Sequence, residues 1–424
     1  MSVAEQNLTD RITYDDLYRR WEQNNWSATA IDLTADVGGW NGLSDIQRDS
    51  AMWIYSMFFY GEDSVADNLS PYIDAAPKEE MKYFLATQQV DEARHAIFFH
   101  RFFKEVIGVE GDDIASVLTS TEGHLGWGYR KVFDRLDRMA AELRKDRSLP
   151  KFAQAITLYH LIVEATMAQP GQHFIEDFFV KSGTMPGFSE GMQHISRDEQ
   201  RHIGFGVKVL NELLRESDEC KAAVDELLAE VLQWTSSVFI PPNWDREYTR
   251  CYGFELEDIS EWGIKAVEQK WRAIGYPIED MPPGTFPMDM SISHRERGAR
   301  IIKMAQAGVI GEPGQDPDRS PEAQALYFDL VSRVVDTEAT NGTPFTVQWR
   351  FTDAAPWHLV VDNGSTRAAE GLAPDPDVTL EASWGDFIEI GKGAIPPPKA
   401  LLQRRLKLSG GPRNLMRFRK LMAK

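Results

Sequence analysis

Between residue 45 and about residue 240, apolar and aromatic side chains return every three or four positions, and Gly and Pro are sparse inside the periodic runs. The spacing predicts helices near 45–70, 77–107, 116–145, 150–181, 187–214 and 218–238. Pro241-Pro242 closes this block, and another helical stretch, 256–274, precedes Tyr276-Pro277. Pro282-Pro283-Gly284 and Gly311-Glu312-Pro313-Gly314 punctuate the next stretch of chain, with 311–321 as the expected linker. Beyond it the period becomes that of a strand. Phe345, Val347, Trp349 and Phe351 alternate with polar residues, 357–361 comes after them, and Asp362-Asn363-Gly364 is a hairpin-turn signature. Further strands are expected at 378–380 and 406–408, and helices at 322–336, 383–391 and 413–422. The chain therefore reads as two domains, an all-α helical bundle over 1–310 and a small α+β domain over 322–424.

Composition narrows the setting. A length of 424 residues, 42% of them hydrophobic, and a mean hydropathy of −0.38 suit a soluble globular protein with ample core. The richest apolar run, 51–60, is too short to span a membrane. The opening Met-Ser-Val-Ala-Glu-Gln lacks the charged and apolar regions of a secretory signal. Cys220 and Cys251 form no Cys-x-x-Cys pair, which excludes an iron–sulfur site or disulfide framework and leads to the expectation of a cytoplasmic protein.

The net charge of −19 argues against nucleic acid as a partner. It is unevenly spread, because residues 391–424 hold ten Lys and Arg and no acid. Such a basic end suits anionic lipid headgroups, the acidic body of the same protein, or simply a solvated face.

Two Glu-x-x-His pairs, Glu92–His95 and Glu199–His202, carry the candidate chemistry. On a helix, positions i and i+3 lie about 60° apart around the axis and ~4.5 Å along it, so both side chains reach one point. Glu62 stands upstream of the first pair and Glu164 between the two, giving the order Glu, Glu-x-x-His, Glu, Glu-x-x-His. That is the ligand order of a carboxylate-bridged two-metal site in a four-helix bundle. A lone Glu-x-x-His is common on solvated helix faces; the ordered set of six is not. Four carboxylates and two imidazoles suit Fe or Mn better than Zn or Cu. Four glutamates balance two divalent cations, which makes burial tolerable, and six protein ligands leave positions open for chemistry. Asp91 and Asp198 precede the ligand glutamates. Asp198 is expected to reach His95, and Asp91 His202, by accepting the second ring N–H; the alternative is a pair of surface charges beside Arg94 and Arg201.

These residues carry a resemblance. Residues 40 to about 280 resemble the ligand-binding oxidases related to the small subunit of ribonucleotide reductase, within the ferritin-like di-metal carboxylate proteins. The matching segments are Gly61 to Val65, Asp91 to His95, Tyr159 to Glu164, and Asp198 to His202 with Ile203-Gly204-Phe205-Gly206. The resemblance implies a Mn/Fe or Fe/Fe pair, O2 as co-substrate, and a long-chain fatty acid or other hydrophobic small molecule bound across the metals. It also implies a candidate ether cross-link between Val65 and Tyr159; on residue type alone, both simply pack against the site. His160, one turn before Glu164, reads as a core or supporting histidine. The phenylalanine clusters at 58–59, 98–99, 102–103 and 178–179 read as core, some of them as candidate walls of a substrate channel.

The last hundred residues resemble sterol carrier protein type-2-like domains, through 357–361, 375–380, 399–402 and 406–410. That resemblance implies a five-stranded sheet with packed helices around an apolar lipid tunnel; the alternative is a stability or dimerisation module with a filled core. The combined expectation is an O2-activating di-metal oxidase of a hydrophobic molecule, its electron donor unspecified, forming a homodimer. Alternatives are a di-iron N-oxygenase of an amine, which would want an extra histidine ligand, and a non-catalytic metal or lipid carrier. A radical-generating partner subunit is disfavoured, since it needs a free tail where this chain has a folded domain.

Overall fold

The computed structural model describes residues 12–282, 284–340 and 342–422. Pro283, Lys424 and the opening 1–6 stretch lie outside the described residues. Two compact units divide between Asp280 and Met281.

In the first unit, helix starts are fixed by side-chain caps. Thr13 and Asp16 form a capping box on α1 (Tyr14–Gln23), an element absent from the predicted set, and Ser44 with Gln47 does the same for α2 (Asp45–Asn68). Helix α3 (Glu79–Phe102) widens into a π turn, Phe103–Ile107, and stops at left-handed Gly108 (φ 81°). The helix predicted at 116–145 is broken into Ile114–Thr121 and α4 (Trp127–Leu143), with Gly123 and Gly126 in the break. From Leu149 to Ser182 the chain is helical without interruption but not uniform. Helix α5 (Leu149–Ile156) passes into a π-helical segment, Thr157–Ala168, and then into α6 (Gln169–Ser182). Helices α7 (Pro186–Glu216), α8 (Asp218–Thr235) and α9 (Leu256–Ile274) complete the unit.

Helix α2 packs along α3, and the π-helical segment packs along α7. Rings fill one end of the bundle: Phe188 lies 4.4 Å from Phe102 and 4.7 Å from Tyr55, and Phe58 stacks on Phe99 at 5.9 Å. The fit is close enough that a Cβ at Gly191 would overlap the Phe98 ring. Truncating Phe188 to alanine would cost about 3–5 kcal/mol through the cavity it leaves.

The second unit holds α10 (His294–Gln306), α11 (Pro321–Val334) and a mixed sheet of β1 (Phe345–Phe351), β2 (Trp357–Asp362), β3 (Ser365–Glu370), β4 (Val378–Ala382) and β5 (Leu406–Gly410) in the order β3-β2-β1-β4-β5. Only the β1–β4 pair is parallel. The hairpin turn at Asn363-Gly364 has both residues left-handed (φ 48° and 77°), as a two-residue turn between twisted strands requires. Strand β3 is absent from the predicted strands, because Ser-Thr-Arg-Ala-Ala-Glu offers no alternation of large apolar residues. Met304 and Val309 belong to this unit's core, so the unit begins ahead of the expected 311–321 linker. Short helices α12 (Trp384–Gly391), α13 (Pro397–Leu402) and α14 (Pro412–Leu421) pack around the sheet. Its interior is aromatic: Phe328 stacks on Trp357 at 4.8 Å and meets Trp349 at 5.2 Å, with Trp384 and Phe387 beside them. Among the described residues no helix is long and apolar enough to cross a membrane.

Candidate metal centre

Four helical segments each bring carboxylates to one buried point. Helix α2 supplies Glu62, α3 supplies Glu92 and His95, the π-helical segment supplies Glu164, and α7 supplies Glu199 and His202; all six side chains are buried. They form two overlapping groups, Glu62–Glu92–His95–Glu199 and Glu92–Glu164–Glu199–His202, with the ligand atoms of each within 4.8 Å of one another. Opposite donors around a cation with bonds of about 2.0–2.4 Å have that spacing. Glu92 and Glu199 belong to both groups, so they would bridge a metal pair, with Glu62 and His95 at one end and Glu164 and His202 at the other.

Both imidazoles turn the same atom inward. His95 Nδ1 lies 3.1 Å from Glu62 Oε2 and 3.4 Å from Glu92 Oε2; His202 Nδ1 lies 3.2 Å from Glu92 Oε1 and 3.4 Å from Glu164 Oε1. His202 Nδ1, Glu164 Oε2 and Glu199 Oε2 are buried without a hydrogen-bond partner. Orphaned polar atoms in a dry core are costly, and a pair of hard divalent cations, with His202 Nδ1 unprotonated, would satisfy all three. The donor set therefore fits a two-metal group.

The electrostatics point the same way. Burial pushes Glu62 up to about 8, against the pull of His95. Burial and the neighbouring glutamates also raise Glu164 and Glu199. Burial would lower both histidines, yet the carboxylates outweigh it and raise them well above the ordinary range; burial would raise Glu92, yet His202 and His95 hold it well below. Without metal, the imidazolium protons serve as the counter-charges of a carboxylate cage.

Behind the histidines sits a nearly repeated arrangement. His95 Nε2 faces Asp198 Oδ2 at 3.2 Å, and His202 Nε2 faces Asp91 Oδ2 at 3.2 Å. The Trp26 indole N–H donates to Asp198 Oδ2 at 2.8 Å, and that of Trp21 to Asp91 Oδ1 at 2.9 Å. Arg201 donates to Asp91, and Arg94 lies 3.1 Å from Asp91 and 3.7 Å from Asp198. The two tryptophans are not legible in the sequence, since they lie 70 and 172 positions from the aspartates they bind. Gln88 escapes the sequence reading as well, although it stands one turn before Glu92 on the same helix face. Its amide donates to Glu164 Oε1 at 2.7 Å and Glu92 Oε1 at 3.3 Å, and its carbonyl faces His160 Nε2 at 3.0 Å. His160 is thus a supporting residue, and burial drives it down to about 3, so it stays neutral. Among the described residues no third histidine joins the two groups.

A narrow cavity opens beside the glutamates. Met57, Phe58, Val65, Phe133, Val163 and Met167 give it apolar walls, and Tyr159 shares the lining. The Tyr159 hydroxyl donates to Glu92 Oε1 at 2.6 Å; burial, then Glu92, keeps the phenol far above its ordinary pKa. Val65 and Tyr159 therefore face one space.

Comparison with known proteins agrees with this construction. Residues 9–237, more than half of the chain, match the family model described as ribonucleotide reductase, small chain. The chain belongs to the ribonucleotide reductase small-chain family. Residues 331–423 match the SCP-2 sterol transfer family, so the small-chain unit is followed by an SCP2 domain. Similar solved structures include an R2-like ligand-binding oxidase with aerobically reconstituted metal cofactor after photoconversion. It is 22% identical, with 65% of this chain and 98% of that one covered and a TM-score of 0.56. The R2-like ligand-binding oxidase from Sulfolobus acidocaldarius is 23% identical, with 67% and 94% covered and a TM-score of 0.53. A mutant R2-like ligand-binding oxidase with anaerobically reconstituted Mn/Fe cofactor is 22% identical, with 65% and 98% covered and a TM-score of 0.53. These likenesses concern the small-chain fold.

Proposed function

We propose that this small-chain family member is a di-metal oxidase that uses O2 to oxidise a hydrophobic small molecule. The observation that carries the reading is the junction of two overlapping Glu/His groups with an apolar cavity. Glu62, Glu92, His95, Glu164, Glu199 and His202 would hold a Mn/Fe or Fe/Fe pair. When bound, such a pair supplies O2 activation and a strong oxidant. The chain's own part is positional. Glu92 and Glu199 tie the two positions together, Asp198 and Asp91 orient the imidazoles, and the apolar walls exclude water and take an alkyl substrate. Among the described residues the lining carries no Lys, Arg or His, so a fatty acid's carboxylate would find its counter-charge only at bound metals, with its alkyl chain along the apolar walls. Replacing Glu199, which both groups share, with alanine should weaken metal loading and abolish O2 consumption while the fold persists; unchanged turnover would sink the reading.

Tyr159, held as a neutral phenol on Glu92, and Val65 on the same cavity support a second reaction on the protein itself. The ether bond would break the Val65 Cβ–H and the Tyr159 O–H, form one C–O bond, and pass two electrons and two protons to O2.

The SCP2 domain supports lipid or other hydrophobic cargo as partner. A second copy of the chain is the other partner we propose, its seat the outer face of α3. Tyr83, Val90 and Ile97 are exposed there at seven-residue intervals, with Ala86 and Ala93 between them, a seam suited to close pairing with an antiparallel copy. Val90→Glu should shift sedimentation from dimer to monomer. Two free cysteines agree with a cytoplasmic setting.

A further inference from the structure

We propose that the surface from Pro396 to Arg405 docks on anionic lipid bilayers, with Leu401 and Leu402 entering the acyl layer. Leu402 is 85% exposed, the highest value for a large hydrophobic residue among the described residues, and its neighbour Leu401 is 42% exposed. Leaving two adjacent leucines exposed to water is unfavourable, and among the described residues Leu402 is left almost uncovered and Leu401 partly so.

The tip is stiff. Pro396 caps α13, Pro397 and Pro398 form its first turn, and Ala400 on that helix is fully buried in the unit's core. Past the helix, Arg404 adopts a left-handed conformation (φ 59°), its N–H reaches Leu401 O at 3.1 Å, and the Arg405 N–H reaches Ala400 O at 2.9 Å. The Arg405 guanidinium is tied down by Asp386, with Nε donating to Oδ1 at 2.7 Å. The leucines are thus presented on a fixed scaffold, and little ordering entropy opposes their insertion.

Charge selects the partner. Lys399 and Arg404 flank the leucines, are exposed, and make no ion pair among the described residues. From 391 onward the chain has ten Lys and Arg and no acid, whereas residues 1–280 carry 28 basic and 48 acidic side chains. An anionic surface therefore attracts this patch and repels the acidic unit. An apolar tip with a cationic collar matches a bilayer with acidic headgroups, which accepts both chemistries at once. The inference does not rest on the oxidase reading, since vesicle binding is measured without turnover.

The test is sedimentation of the full-length protein with extruded vesicles of phosphatidylcholine, with and without one-third phosphatidylglycerol. Binding is expected to the anionic vesicles and to weaken as salt rises. Leu401→Asp with Leu402→Asp should abolish it. Lys399→Glu with Arg404→Glu should weaken it by roughly 25-fold or more, since losing each cation costs about fivefold and the glutamates add repulsion. Leu372→Asp, at an exposed leucine outside the patch, should bind like wild type. Thermal unfolding checks that each variant folds, and Leu402→Trp, whose emission should shift to the blue on adding vesicles, reads insertion directly. Three results would overturn the proposal: wild-type protein left in the supernatant, binding indifferent to both double variants, or indole emission from the Leu402→Trp variant that vesicles do not move.

Discussion

Asp198 Oδ2 stands 3.2 Å behind His95 Nε2 and takes the Trp26 indole N–H at 2.8 Å, so one oxygen fixes both the ring and the amino-terminal segment over it. Replacing Asp198 with asparagine removes the charge and keeps the shape. Metal affinity at the His95 end should fall about 10–100-fold, while the His202 end, backed by Asp91, keeps its metal. Metal content after dialysis, measured by mass spectrometry, checks this; equal loss at both positions would contradict it.

Gln88 is a clamp on the other end of the centre. Gln88→Leu would leave the His160 donor and Glu164 Oε1 without their partner at 3.0 and 2.7 Å. Stranded polar groups cost about 1–3 kcal/mol each, so the metal-free protein should unfold at lower urea concentration. Metal binding at the Glu164 position should weaken too. A variant with wild-type unfolding and loading would show that the clamp is idle.

Glu212 joins three elements, accepting from Tyr14 Oη at 2.9 Å and Lys78 Nζ at 2.8 Å and pairing with Lys208 at 3.1 Å. Burial opposes its charge, but Lys78, Lys208 and Tyr14 hold its carboxyl below the ordinary value of 4.5. Because the folded value is lowered, its stabilisation is complete above pH 4.5 and disappears as pH falls through the lowered value. Glu212→Gln should therefore cost about 1 kcal/mol at pH 7 and much less at pH 3, read from urea unfolding of both proteins after chelation. A difference that does not change with pH would refute this assignment.

The Val65–Tyr159 bond has its own signature. After metal loading in air, the peptides that carry the two residues should run as one species, lighter than their sum by two hydrogens. Tyr159→Phe should abolish it and leave metal content close to wild type. Separate peptides of full mass from aerobically loaded protein would remove the cross-link from the account.

Legibility followed chain distance. The i, i+3 pairs and the helices that carry them are local signals, and their order along the chain disclosed a complete candidate ligand set. The break at 122–126 and the strand at 365–370 were lost because they lack bulky periodic residues. Trp21 and Trp26 were lost for another reason: their meaning depends on aspartates distant in sequence, which only packing brings near. Gln88 was within reach, since it lies four residues before Glu92 and shares its face.

The π-helical stretch Thr157–Ala168 has a consequence for the order of events. Glu62 rides on regular α-helix and Glu164 on widened helix, so two ends with identical donors rest on backbones of different pitch and stiffness. The sequence repeats itself across the centre; the scaffold does not. Two ions arriving at such a centre would meet unequal seats, and loading would then be sequential, with a preferred first position.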